Sequence, residues 1–171
     1  MIQPALQTTR LELRPLPSAA ARALPDDRET AARLLGTALA ADWPQPDLLD
    51  VLPMQASATQ AEERFGVWVI IERGSTTVVG DVGFMGPPGE DGDVEIGYCV
   101  IPDRRGRGYA GEAVQALVAW ALTQPGVGSV AARCDALNVP SIRVLERAGF
   151  VRSGESRGEI RWRLETDSLR I

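Results

Sequence analysis

The chain has 171 residues, 44% of them hydrophobic and 24% charged, with a formal net charge of −5. Length and composition suit one folded domain over residues 1–171. The acidic balance argues against nucleic acid as a partner and agrees with a cationic one such as an amine, and no apolar run is long enough for a membrane. Histidine is absent and all 18 basic residues are arginine. That removes a Ser-His-Asp triad, a Schiff-base lysine and a P-loop lysine, and with only two cysteines no metal site is expected.

The opening MIQPALQTTRLELR has no basic segment followed by an apolar one, so the expectation is a cytoplasmic protein. Residues 8–16 (TTRLELRPL) alternate Leu11 and Leu13 with Arg10, Glu12 and Arg14, a half-buried strand closed by Pro15 and Pro17. Two helices follow at residues 18–24 and 26–41, the second capped by Asp26 or Asp27 with Glu29 in its first turn. Residues 43–53, WPQPDLLDVLP, read as an ordered proline-rich loop, and residues 56–65 as a short helix.

Three strands come next, at residues 66–72, 76–85 and 94–101, and their turn spacing makes an antiparallel meander. Val114, Leu117, Val118, Ala121 and Leu122 then recur with helical period until Pro125-Gly126. Residues 129–134 read as a strand and 140–148 as a helix stopped by Gly149, with strands at 150–152 and 160–165. Cys99 and Cys134 lie inside apolar strand segments; one disulfide is permitted, and free buried thiols are the reading for a reducing cytoplasm.

Between the third strand and the helix stands RRGRGYAGEA, residues 104–113. Backbone N–H groups at a helix start point outward unpaired, and the helix dipole favours an anion there. Gly106 and Gly108 let the chain approach a phosphate closely, while Arg105 and Arg107 add charge at the rim. Gly106, Gly108 and Gly111 also spell G-x-G-x-x-G, the dinucleotide fingerprint, with Asp135 near the place of a ribose-binding acid. Against a dinucleotide site, Pro102 to Arg105 separate the strand from the first glycine, and the crossover sits in mid-chain rather than at the domain start. No Lys-Ser or Lys-Thr follows the glycines, so a P-loop is excluded.

Arg105-Gly106-Arg107-Gly108-Tyr109-Ala110 resembles the R-x-x-G-x-[GA] acetyl-CoA motif of the GNAT N-acetyltransferase superfamily. TTRLELRPL, VEIGYCVIPDRRGRGYAGEAV and NVPSIRVLERAGF resemble its branch of ribosomal-protein N-terminal (RimJ/RimL-type) acetyltransferases. The resemblance implies a mixed α/β fold: a central, mostly antiparallel twisted sheet of about seven strands with one parallel splayed pair, flanked by helices. It implies acetyl-CoA as acyl donor, bound by the backbone near Val100 and Ile101 and by the segment Arg105, Gly106, Arg107, Gly108, Tyr109 and Ala110. Asn138 and Ser141 would touch the cofactor, and both are also ordinary helix-capping residues.

Glu95 is the candidate general base, a lone carboxylate in the apolar strand VEIGYCVI where burial would raise its pKa. The penultimate helix has no tyrosine to act as acid, which leaves Ser141 or water for the departing thiolate. Tyr98, Tyr109 and the tryptophans read as packing residues, with Trp43 able to wall the acceptor pocket. Arg143 and Arg147 read as surface charges, with contact to the cofactor's 3′-phosphate as the alternative. The acceptor is an amine, either a protein N-terminus or a small molecule, and homodimerisation is a family expectation. A non-catalytic acyl-CoA sensor is the alternative from another class.

Overall fold

Residues 5–166 are described by a computed structural model. Chain order is β1 (Leu6–Gln7), β2 (Leu11–Pro15), α1 (Ser18–Ala23), α2 (Arg28–Leu35), β3 (Ala38–Leu39), α3 (Pro46–Ala56), α4 (Gln60–Glu63), β4 (Val67–Glu72) and β5 (Thr77–Phe84). Then come β6 (Asp93–Val100), a 3-10 turn (Pro102–Arg104), α5 (Tyr109–Ala121), β7 (Ser129–Asp135), α6 (Val139–Arg147), β8 (Val151–Ser156) and β9 (Glu159–Glu165). The strands form one sheet in the order β1-β2-β4-β5-β6-β7-β9-β8, with β3 beside β5 off this path. It is mixed α/β and mostly antiparallel, as expected. The nine strands exceed the expected seven because of the two-residue β1 and β3, and β3–β5 adds a second parallel pair to β6–β7.

The helical N-terminal region departs from the sequence reading in three places. The helix expected over 26–41 stops at Leu35, because Gly36 takes φ +69° as a left-handed cap. Asp27 caps its start, accepting the Thr30 N–H at 3.0 Å. The expected loop at 43–53 is instead largely α3. Pro46 sits in its first turn, where no N–H is needed, and Leu48, Leu52 and Gln55 are buried at helical spacing. Pro53 inside α3 removes one backbone hydrogen bond without ending the helix. The short helix expected at 56–65 shrinks to α4, set by a capping box between Thr59 and Glu62.

Packing is organised around β4, whose residues Val67 to Ile71 are all buried. Its Trp68 joins Phe65, Phe84 and Trp120 in an aromatic cluster, with the two tryptophan rings 5.1 Å apart. Buried Gln55 joins α3 to the sheet region: its amide donates to the Leu16 carbonyl at 2.6 Å and accepts the Val67 N–H at 3.0 Å. A Cβ at Gly66 would displace the Gln55 side chain from these two hydrogen bonds. Among the described residues no helix is long and apolar enough to cross a membrane.

The site is opened by a failure of strand pairing. β6 and β7 pair in parallel only from Asp93–Ser129 to Ile96–Ala132. Beyond that point β6 continues to Val100 against β5, and β7 continues to Asp135 against β9. The parallel neighbours therefore part, with Pro102 just past the end of β6.

Candidate active site

The glycine loop supplies an anion cradle. Gly106 and Gly108 have φ of +73° and +81°, the left-handed region that glycine enters freely. Gly108 caps α5 with no side chain, and the Glu112 N–H is bonded to the Gly108 carbonyl at 3.1 Å. The N–H groups of Tyr109, Ala110 and Gly111 ahead of it are those that an α-helix leaves unpaired.

A network fixes this loop to the start of the chain. Glu112 accepts from the Thr8 hydroxyl at 2.6 Å, from the Arg10 N–H at 2.8 Å and from the Arg10 guanidinium at 2.7 and 2.8 Å. Arg10 also donates to the Arg107 carbonyl at 2.7 Å and lies over the Tyr109 ring. Burial pulls the Glu112 carboxyl upward, but the donors from Thr8 and Arg10 outweigh it and hold the pKa below its usual value. On the other flank Glu72 accepts from the Tyr109 hydroxyl at 2.7 Å and Arg104 at 3.1 Å. Arg105 folds back, its Nε donating to the Val100 carbonyl at 2.8 Å, while Arg107 stays exposed.

Beside the loop, the splay presents backbone donors. The register of β5 against β6 runs unbroken from Gly80–Val100 to Phe84–Ile96, and the Ile101 N–H donates to the Val79 carbonyl at 2.9 Å. Alternation then points the N–H groups of Tyr98 and Val100 away from β5 into the splay, past the last residue paired with β7. Of the two positions singled out from sequence, Val100 thus offers a donor to the opening, whereas the N–H of Ile101 is spent within the sheet.

A cavity of about 320 Å³ spans the splay. Cys99 and Cys134 line it from β6 and β7; both are free thiols, and burial pushes the Cys99 thiol up. Asn138 and Ser141 line it from the start of α6, where the Asn138 side-chain oxygen Oδ1 accepts the Ser141 N–H at 3.2 Å. The Tyr98 hydroxyl donates to the Ser141 carbonyl at 3.4 Å, and burial raises its pKa.

Glu95 does not have the apolar surroundings that its strand suggested. Val94 and Ile96 face one side of the sheet and Glu95 the other, where Arg133 forks onto its two oxygens at 2.7 and 3.2 Å. The Glu95 side chain is 33% exposed. Asp135 makes a local turn, accepting the Leu137 N–H at 2.7 Å. Arg143 and Arg147 are exposed on α6.

Sequence reasoning passed over Asp81. It is 8% exposed on β5, directly opposite Cys99 in the register, and lines the cavity with Asp47 of α3. The Trp43 indole N–H donates to its Oδ2 at 2.9 Å. Burial pushes its pKa to about 7, against the Trp43 hydrogen bond and with the help of the Asp47 charge. A lone acid in the apolar run VVGDVGF carries the same signal that singled out Glu95.

The anion-favouring helix start follows in the chain on the strand that parts from its parallel neighbour, which suits transfer of a group from a phosphate-bearing donor. The family comparison agrees. The acetyltransferase (GNAT) domain model matches residues 10–151, and the chain belongs to that family as an acetyltransferase. The uncharacterised N-acetyltransferase YjdG of Bacillus subtilis (strain 168) is 31% identical over 160 residues, covering 92% of this chain and 95% of that protein. Two solved structures share the fold. RimL, a ribosomal L7/L12 α-N-protein acetyltransferase in complex with coenzyme A, aligns with a TM-score of 0.67 at 19% identity, covering 96% of this chain and 99% of that one. The ribosomal-protein-S5-alanine acetyltransferase of Vibrio fischeri aligns with a TM-score of 0.66 at 17% identity, covering 96% and 98%.

Proposed function

We propose that the chain transfers an acetyl group from acetyl-CoA directly to a primary amine within a ternary complex. The observation that supports this reading is that the Gly106–Gly108 helix start follows β6 where β6 has parted from β7 beyond Ile96, with Arg105 tied back to the Val100 carbonyl. The helix start would take the pyrophosphate on the N–H groups of Tyr109, Ala110 and Gly111, with Arg107 beside it. The parted strands would admit the pantetheine arm, and the N–H of Tyr98 or Val100 would polarise the thioester carbonyl as charge builds on its oxygen. Ser141 at the cavity wall would return a proton to the departing thiolate. No covalent acyl-enzyme is required.

The names borne by the two fold neighbours make a protein N-terminal amine one source of acceptor, beside small-molecule amines. A sensor would bind acetyl-CoA without turnover, and the dinucleotide reading would bind NADH. Isothermal calorimetry with acetyl-CoA beside NADH tests the reading: saturable binding of acetyl-CoA supports it. Binding of NADH alone would overturn it.

A further inference from the structure

Of the strand carboxylates Glu95 and Asp81, only Asp81 lines the cavity, together with Asp47 of α3. Glu95 is already forked to Arg133. It lies about 13 Å along β6 from Cys99, at four residues of extended chain. Asp81 faces Cys99 directly, and the residues flanking Cys99 are those whose N–H groups enter the splay. One oxygen of Asp81 takes the Trp43 indole N–H, and among the described residues no guanidinium pairs with the carboxylate. Near Asp81 the cavity is lined by Leu48, Val51 and Val67 with the Asp47 carboxylate, and towards β7 and α6 by Arg133, Asn138 and Ser141.

Resting on the acetyl-transfer reading above, we propose that Asp81 binds and deprotonates the acceptor, and that the pocket it forms with Asp47 selects a primary ammonium carried on an apolar stem. In the step, Asp81 takes one proton from the ammonium. The freed nitrogen lone pair attacks the thioester carbonyl carbon, the C–N bond forms and the C–S bond breaks. Sulfur leaves with the electron pair and is protonated, through Ser141, by the second proton on nitrogen. Asp81 then releases its proton to water. The products are amide, thiol and one proton.

The ionisable groups around Asp81 come from several elements. Asp47 lies in the first turn of α3, Cys99 opposite on β6, and Tyr98 beside Cys99. Arg133 of β7 is held by Glu95, Arg28 of α2 donates to the carbonyls of Trp43 and Ala40, and Arg105 donates to the Val100 carbonyl. Asp47 raises the Asp81 pKa and the Trp43 hydrogen bond lowers it.

The test uses the whole chain with coenzyme A bound and 2-phenylethylamine as probe. The wild type binds the amine, Asp81→Asn weakens that binding about tenfold or more, and neutral 2-phenylethanol does not distinguish the two proteins. In turnover, kcat/KM for the amine shows an acidic limb near the Asp81 pKa of about 7. Asp81→Asn abolishes that limb and lowers the rate about 100-fold, while Glu95→Gln leaves the limb in place. Asp47→Asn moves the limb to lower pH and Trp43→Phe to higher pH, opposite shifts that a merely structural Asp81 would not produce. A peptide with a free N-terminal leucine, run in parallel, tells a protein terminus from a small amine. Equal amine binding by Asp81→Asn, or a limb removed by Glu95→Gln instead, overturns the proposal. Loss of acetyl-CoA binding by the wild type would overturn the acetyl-transfer reading itself.

Discussion

Asp81 makes a thermodynamic prediction that is independent of catalysis. Its pKa moves from 3.8 to about 7 chiefly because burial penalises the charged form. Below the lower value both folded and unfolded chains carry the neutral acid. Between the two values the folded chain keeps a proton that the unfolded chain has lost, so stability falls as pH rises. At about 1.36 kcal/mol per pKa unit, a shift of roughly three units amounts to about 4 kcal/mol once the pH passes the folded value. Asp81→Asn keeps an oxygen for the Trp43 indole and has no charge to bury. Urea unfolding of both proteins from about pH 4 to about pH 8.5 should show the variant gaining on the wild type by about 4 kcal/mol across the window. A difference that stays flat over that range would mean that Asp81 ionises like an exposed acid, and the reasoning would fail.

Other substitutions follow from the same geometry. Gly108→Val forces a β-branched residue into φ +81° beside the Arg10 guanidinium; calorimetry should show acetyl-CoA affinity lowered about tenfold or more. Glu112→Gln removes the anion that gathers Thr8 and Arg10, and should cost about 1.5–3 kcal/mol in urea unfolding near neutral pH. Because the Glu112 pKa is lowered, that difference should be present above the ordinary carboxylate range and shrink as pH falls through the folded value. Gln55→Leu strands the Leu16 carbonyl and the Val67 N–H inside the core, and should cost about 2–4 kcal/mol by chemical denaturation. A loss within about 0.5 kcal/mol for Gln55→Leu would show that water replaces the amide there.

What could be read from the chain was mostly local. Glycines at 106 and 108 ahead of an apolar helix period announce a left-handed turn and a helix start, and both are found. The meander from β4 to β6 follows from turn spacing and β-branched runs. Errors arose where position within an element decides the outcome. Proline 46 reads as a breaker until it is placed in the first turn, and Gly36 reads as tolerated within a helix until it becomes the cap. The carboxylates depended on contacts distant in sequence. Glu95 meets Arg133 because the register sets it against Ala131, and Asp81 sits under Trp43 in a cavity shared with Leu48 and Val51 of α3, a helix absent from the sequence reading. Neither surrounding is encoded within a few residues of the acid.

Acetyl transfer itself is tested by following isotope-labelled acetyl from acetyl-CoA to 2-phenylethylamine, with mass spectrometry of the amine and assay of thiol release. Direct transfer yields one labelled amide for each thiol freed, with the signal dependent on both substrates. Thiol release without the amide, or no release from a protein that binds both molecules, would contradict it.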